Sequence, residues 1–204
     1  MENLLQTIQA EINEIAKRFQ KNTFDYFYEE DIRSELYCLL KNKIKHEYQF
    51  GISEINFKDL RNNLKSNTII SSIVKTEYPR NKRFDIAILK EKGEDFYNVP
   101  IQLAIEIKLG SKETKTDNFG KYSDDIRKLL SNKNEINNDN FTGLAIYFYQ
   151  TNIDNNYEKV SRWIGGEIKF NKVDNIVIEA NKVNAIVIAR DAIYSSSLSK
   201  IIYD

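Results

Sequence analysis

Three charged residues stand inside otherwise apolar runs: Asp85 in RFDIAIL, and Glu106 and Lys108 in VPIQLAIEIKL. A β-strand alternates its side chains between two faces, so Glu106 and Lys108 point the same way, with Ala104 before them. Leu103, Ile105, Ile107 and Leu109 form the opposite, apolar face. In the preceding run Asp85, Ala87 and Leu89 share one face, and Phe84, Ile86 and Ile88 the other. The two acids are 21 residues apart (106 − 85), a separation that fits antiparallel strands joined by an irregular hairpin and lets the carboxylates meet. Held within a few ångströms, they repel strongly unless a cation neutralises them. Lys108 is one such charge. A hard divalent cation is another, because Mg²⁺ prefers oxygen ligands and commonly takes one or two carboxylates, waters and substrate phosphate. The plainer alternative is a solvated sheet face with an incidental ion pair, which contributes little energy.

These residues need strands to hold them and helices to cover them. Residues 3 to 20 place Leu4, Leu5, Ile8, Ile12, Ile15, Ala16 and Phe19 at helical spacing. YEEDIRSELYCLLKNKIK predicts a second helix from about 29 to 45, with Ile32, Leu36, Leu39, Leu40 and Ile44 inward. FKDLRNNL (57 to 64) fits a short third helix. The pattern then shifts to β-branched and aliphatic runs: TIISSIVKTEY (68 to 78), RFDIAIL (83 to 89) and VPIQLAIEIKL (99 to 109) read as three consecutive strands. A helix in YSDDIRKLLSN follows, with Ser123 as its N-cap. FTGLAIYFYQ (141 to 150), IVIEA (176 to 180) and NAIVIARD (184 to 191) complete the strands, and NNYEKVSRWIGG fits a helix up to its paired glycines. This order implies an α/β or α+β fold with a central mixed sheet.

An Asp near a strand end, a hairpin, then Glu-x-Lys in an apolar strand resembles the PD-(D/E)xK nuclease superfamily. The matching pieces are Asp85 in RFDIAI, and Glu106, Ile107 and Lys108 in AIEIKLG. The acidic helix EEDIRSELYCLL before them and the helix DDIRKLL after them fit the same resemblance, which covers roughly residues 28 to 150. Phe84 precedes Asp85 where the motif has proline; the nearest proline is Pro79. The resemblance implies a restriction-endonuclease-like core, a central mixed sheet flanked by helices, within a single domain spanning 1–204. An extra N-terminal helix and a C-terminal β-rich extension would complete it. It implies a Mg²⁺- or Mn²⁺-dependent phosphodiesterase, an endonuclease acting on DNA in restriction, phage defence or a mobile element. Asp85 and Glu106 would hold the metal with the backbone carbonyl of Ile107. Lys108 would orient or deprotonate the attacking water and offset charge growing on the phosphoryl oxygens. The first helix of such folds often adds a Glu. Glu30 falls nearly opposite the apolar stripe, whereas Glu29 and Glu35 flank it, with Glu35 preferred and Glu29 behind it.

Other candidates are weaker. Lys82 and Arg83 fit phosphate contacts or a solvated turn, and Glu77 fits either a lining of the same cleft or a surface charge. Arg162 and Trp163, beside Gly165, Gly166 and Lys169, could stack on bases and touch phosphates, against a buried Trp at a helix end. His46 reads as a charge complement at a helix C-terminus. With one Cys and one His, a zinc site or a Cys–His dyad has almost no support. Cys38 lies in an apolar helical pattern and reads as a buried, reduced thiol in a cytoplasmic setting.

Composition sets the outer bounds. The chain has 204 residues, 41% hydrophobic and 29% charged, enough for one sizeable domain. Thirty basic and thirty acidic residues cancel, so no global field draws it to nucleic acid or an anionic membrane. The N-terminus reads as an amphipathic helix rather than a signal peptide, and no apolar run approaches a bilayer span. Beside the nuclease, two further classes remain. One is a protein that keeps the nuclease fold and binds nucleic acid or a protein partner without cutting. The other is a sugar hydrolase with Asp85 and Glu106 as its carboxylate pair, which leaves Lys108 without a role. Cutting both strands of a duplex with one site per chain would favour a homodimer.

Overall fold

The structure, a computed structural model, describes residues 2–51, 68–79, 82–91, 99–110, 118–135, 140–153 and 168–199. The helix expected at 57–64, the helical segment before Gly165 and the pair Arg162 and Trp163 lie outside the described residues.

The chain begins with α1 (Glu2–Lys21) and a 3-10 turn (Thr23–Asp25), followed by α2 (Glu29–Lys43). The helical spacing in α1 buries Ile8, Ile12, Ile15, Ala16 and Phe19, and α2 buries Ile32, Leu36 and Leu40. The Asp31 carboxylate accepts hydrogen bonds from the backbone N–H groups of Phe27 and Tyr28, both at 2.9 Å, which fixes the entry to α2. Cys38 is exposed, contrary to expectation; it sits beside the α2 stripe rather than on it.

The strands are β1 (Glu47–Gly51), β2 (Thr68–Ser72), β3 (Val74–Tyr78), β4 (Phe84–Leu89), β5 (Ile101–Gly110), β6 (Thr142–Tyr149), β7 (Asn171–Val173), β8 (Val183–Ala189) and β9 (Ile193–Leu198). The helix between β5 and β6 is α3 (Asn118–Glu135). It starts earlier than the sequence suggests, so Ser123 is an interior residue and not its cap. The run TIISSIVKTEY is two strands rather than one. β2 pairs with β1 in a separate two-stranded sheet, and β3 joins the main sheet. At the break, the Ile73 N–H donates to the His46 carbonyl and the Val74 N–H to the Ser72 hydroxyl.

The main sheet has seven strands in the order β3-β4-β5-β6-β8-β9-β7. β5, β6 and β8 are parallel at its centre, and the pairs β3–β4, β4–β5, β8–β9 and β9–β7 are antiparallel. Every residue of β6 and β8 is buried, as expected for central parallel strands covered on both faces. Helix α3 packs on β5, β6 and β8, while α2 packs on β3, β4 and β5. Phe19 of α1 meets Phe148 of β6 edge-on at 5.1 Å, and Tyr122 of α3 meets Tyr147 of β6 at 5.3 Å. Phe148 and Tyr147 are neighbours in one strand and point to opposite faces, so α1 and α3 cover opposite faces of the sheet. The architecture is therefore α/β, a mixed central sheet flanked by helices. Among the described residues no helix is long and apolar enough to cross a membrane.

The expected strand at 176–180 is not a strand. Its backbone is bound by amide side chains of α1 instead. Asn13 donates to the Ile176 carbonyl at 3.0 Å and accepts from the Ile176 N–H at 2.9 Å, and Gln9 accepts from the Ile178 N–H at 3.0 Å. Gln20 extends this ladder to the Ala189 carbonyl at 2.9 Å.

Candidate functional site

The charged residues of β4 and β5 come together through strand register. Ile86 pairs with Ile105 and Ala87 with Ala104; one step further along, Asp85 lies across from Glu106 on the same face. The Asp85 Oδ2 accepts the Ile107 N–H at 2.7 Å, tying the carboxylate to the neighbouring strand. Past the start of β4, β5 runs on beside β6, with Lys108 paired to Tyr147 and Gly110 to Tyr149. Gly110 has no alternative residue here. A Cβ at this position would stand 2.0 Å from the Tyr147 hydroxyl, and that ring is buried.

Both helices contribute side chains to this end of β5. From α2, the Glu29 Oε2 lies 3.5 Å from the Lys108 ammonium and its Oε1 3.5 Å from the Leu109 N–H. One turn on, Arg33 pairs with Glu77 of β3 and stands 3.5 Å from the Asp85 Oδ1. From α3, the Asp125 Oδ2 lies 3.3 Å from the Lys108 ammonium. Lys128, one turn on, donates both to the Glu106 Oε1 and to the Arg83 carbonyl, with its ammonium 4.8 Å from the Phe84 ring centre.

Burial sets the electrostatics. Glu106 is only 4% exposed, and desolvation raises its pKa to about 8 against the opposing pull of the Lys128 hydrogen bond. Nearby Asp85 raises it further and Lys128 lowers it. Asp125 is raised as well, chiefly by burial, with Lys108 pulling the other way. Its Oδ2 is closed off from solvent and lacks an aligned hydrogen-bond donor, so the ammonium 3.3 Å away is a charge neighbour rather than a directed bond. For Lys108, burial alone would lower the pKa. The carboxylates of Asp125, Glu29 and Asp85 outweigh it, and the net direction is upward. Lys108 is therefore held as an ammonium. It donates to the Ile107 carbonyl at 3.3 Å, the backbone oxygen expected to face a metal.

Of the residues singled out in sequence, Asp85, Glu106, Ile107 and Lys108 are brought together. The preferred helix acid is not among them. Glu35 bonds Arg18 at 2.6 Å and the Tyr26 hydroxyl at 2.8 Å, and with them lines a separate surface depression. The helix carboxylate that reaches Lys108 is Glu29, because the first turn of α2 abuts the end of β5. Lys82 and Arg83 are exposed at the entry to β4, and Arg83 meets Lys128 through its carbonyl. Glu77 lines the cleft through Arg33. Sequence reasoning missed Arg33, Asp125 and Lys128. Their signal was an acid and a base one turn apart on each flanking helix, Glu29 with Arg33 and Asp125 with Lys128.

Among the described residues no group of three or more His, Cys, Asp or Glu is arranged to hold a metal ion. Lysine and arginine side chains stand between the carboxylates and neutralise them. No protein-family model, no curated protein and no solved structure matches the chain, so its functional reading is carried by β4, β5, α2 and α3 alone.

Proposed function

We propose that the protein is a metal-dependent endonuclease with a restriction-endonuclease-like core, hydrolysing phosphodiester bonds of DNA. The observation that carries this reading is the facing pair Asp85 and Glu106, with Lys108 two residues along the same face of β5. A sheet face kept only for solubility has no need of an acid buried to 4% exposure, since taking a carboxyl group out of water is costly even when it is paired.

The donor set suits a hard cation. Asp85, Glu106 and the Ile107 carbonyl are all oxygen donors, and Mg²⁺ or Mn²⁺ commonly uses no more than one or two carboxylates, completing its shell with water and phosphate. Asp125 adds a third buried carboxylate at the edge of this group, paired with the Lys108 ammonium at 3.3 Å. When bound, the metal would lower the pKa of a coordinated water and polarise the scissile phosphate. The chain's own part is then positional and electrostatic. Asp85 is fixed by the Ile107 N–H. Lys108, held as an ammonium between Glu29 and Asp125, stabilises charge on the phosphoryl oxygens rather than removing a proton.

A second reading has one specific observation in its favour. Both carboxylates already have a cationic neighbour, Arg33 for Asp85 and Lys128 for Glu106, as in a protein that keeps the fold and binds without cutting. A panel of duplex, branched and single-stranded DNA and RNA, incubated with Mg²⁺ or Mn²⁺ and with chelator, separates the two. Metal-dependent cleavage that disappears in Asp85→Ala supports the nuclease; binding without cleavage under every metal supports the alternative.

A further inference from the structure

Lys108, the cation that the sequence places beside the acid pair, is occupied elsewhere, between Asp125 and Glu29. The cation that meets Glu106 is Lys128, arriving from α3. We propose that Lys128 is a tethered stand-in for a divalent cation, holding the Glu106 Oε1 in its absence and withdrawing when one binds. This rests on the proposed function in taking Asp85 and Glu106 as the metal's ligands.

Lys128 and a divalent cation would compete for a single side chain, that of Glu106. Glu106 is buried to 4% exposure, while the Lys128 side chain is 32% exposed. The acid cannot leave the strand; the lysine can leave the acid. Lys128 is one long, flexible side chain held by three contacts, the Glu106 Oε1, the Arg83 carbonyl and the Phe84 ring. The lysine itself is half-buried, so it can swing out without unpacking the sheet. An ammonium and a divalent cation cannot both meet the same desolvated oxygen, because two like charges within a few ångströms repel. A metal therefore binds Glu106 at the expense of the Lys128 contact. The released side chain stays anchored on α3. Without metal, the same contact gives the buried acid a hydrogen-bonding partner, so the site stays assembled.

The test is calorimetric titration of Mg²⁺ and of Mn²⁺ into the intact protein and its Lys128→Met variant. Lys172→Met is the control, because Lys172 is an exposed lysine on β7, outside the cleft. Circular dichroism checks folding, and Lys128→Gln replaces the Met variant should that one not fold. The expected result is affinity at least tenfold tighter in Lys128→Met than in wild type, with Lys172→Met unchanged. Equal or weaker affinity in the Met variant overturns the proposal, as does binding in neither form. Binding in Lys128→Met but not in wild type upholds the stand-in and instead sinks the metal-dependent activity of the natural chain. Wild-type binding without cleavage likewise counts against the proposed function alone.

Discussion

The pKa of Glu106 makes stability depend on pH in a direction that can be worked out in advance. Its folded-state value is raised from 4.5 to about 8, chiefly by burial. Below pH 4.5 the carboxyl is protonated in both folded and unfolded chains and has no effect. Between about pH 4.5 and 8 the folded state keeps a proton that the unfolded state releases, so stability falls as pH rises. Above about pH 8 the loss is complete. At about 1.4 kcal/mol per pKa unit the ceiling is on the order of 4–5 kcal/mol. Glu106→Gln carries no charge at any of these pH values and should lose this slope. The assay is urea unfolding of wild type and variant at intervals from pH 4.5 to 9. The variant should gain relative to wild type by about 3–5 kcal/mol across that range. Taking the difference cancels titration shared by both proteins. Parallel curves would refute the reasoning, since they would mean that Glu106 ionises in the folded protein as it does in water.

Four further expectations concern the site and its supports. Lys108→Ala should keep metal binding, because both carboxylates remain, yet slow cleavage by about 10²- to 10³-fold. Asp85→Ala should lose metal affinity and activity together; titration calorimetry beside a cleavage assay checks both variants. Gly110→Ala drives a methyl group into the buried Tyr147 hydroxyl and should cost about 1–3 kcal/mol in denaturant unfolding. Asn13→Ala removes both hydrogen bonds to Ile176 and should cost about 1–3 kcal/mol, with increased amide exchange at Ile176 as the local readout.

Elements that are buried on both faces, or have a strict period, were legible in the sequence. The central strands RFDIAIL, QLAIEIKL and GLAIYFY are apolar runs of strand length, and α1 and α2 carry unbroken helical stripes. What escaped depended on partners distant in sequence. β9 reads poorly because three of its residues are serines, which have little strand preference of their own. IVIEA has strand composition, but its N–H groups are claimed by Gln9 and Asn13, about 165 positions earlier. The site divides in the same way. Asp85, Glu106 and Lys108 were visible because strand alternation puts them on one face. Glu35 was misplaced because a helical wheel fixes a direction relative to its own stripe and knows nothing of Arg18 and Tyr26. Arg33, Asp125 and Lys128 look like ordinary solvated helix charges until α2 and α3 are brought to the end of β5.

The charge balance at that end sets a condition on any nucleic-acid binding there. Among the described residues, Glu29, Glu77, Asp85 and Asp125 pair there with Lys108 and Arg33, while Lys128 meets the raised acid Glu106. Such a cleft is acidic, and a phosphate chain carries one negative charge per nucleotide. A protein that binds nucleic acid here without metal would have to overcome that repulsion, whereas a bound divalent cation reverses the local sign. Nucleic-acid affinity at this site should therefore require Mg²⁺. Lys108→Ala is the form in which to measure it, because it keeps the acid pair and, on the proposed function, should turn over slowly enough for equilibrium binding. Fluorescence anisotropy with labelled DNA should show affinity in Mg²⁺ that falls at least tenfold in chelator at matched ionic strength. Equal affinity in chelator would mean that the nucleic acid is held on another surface, leaving the facing carboxylates without a part in its recognition.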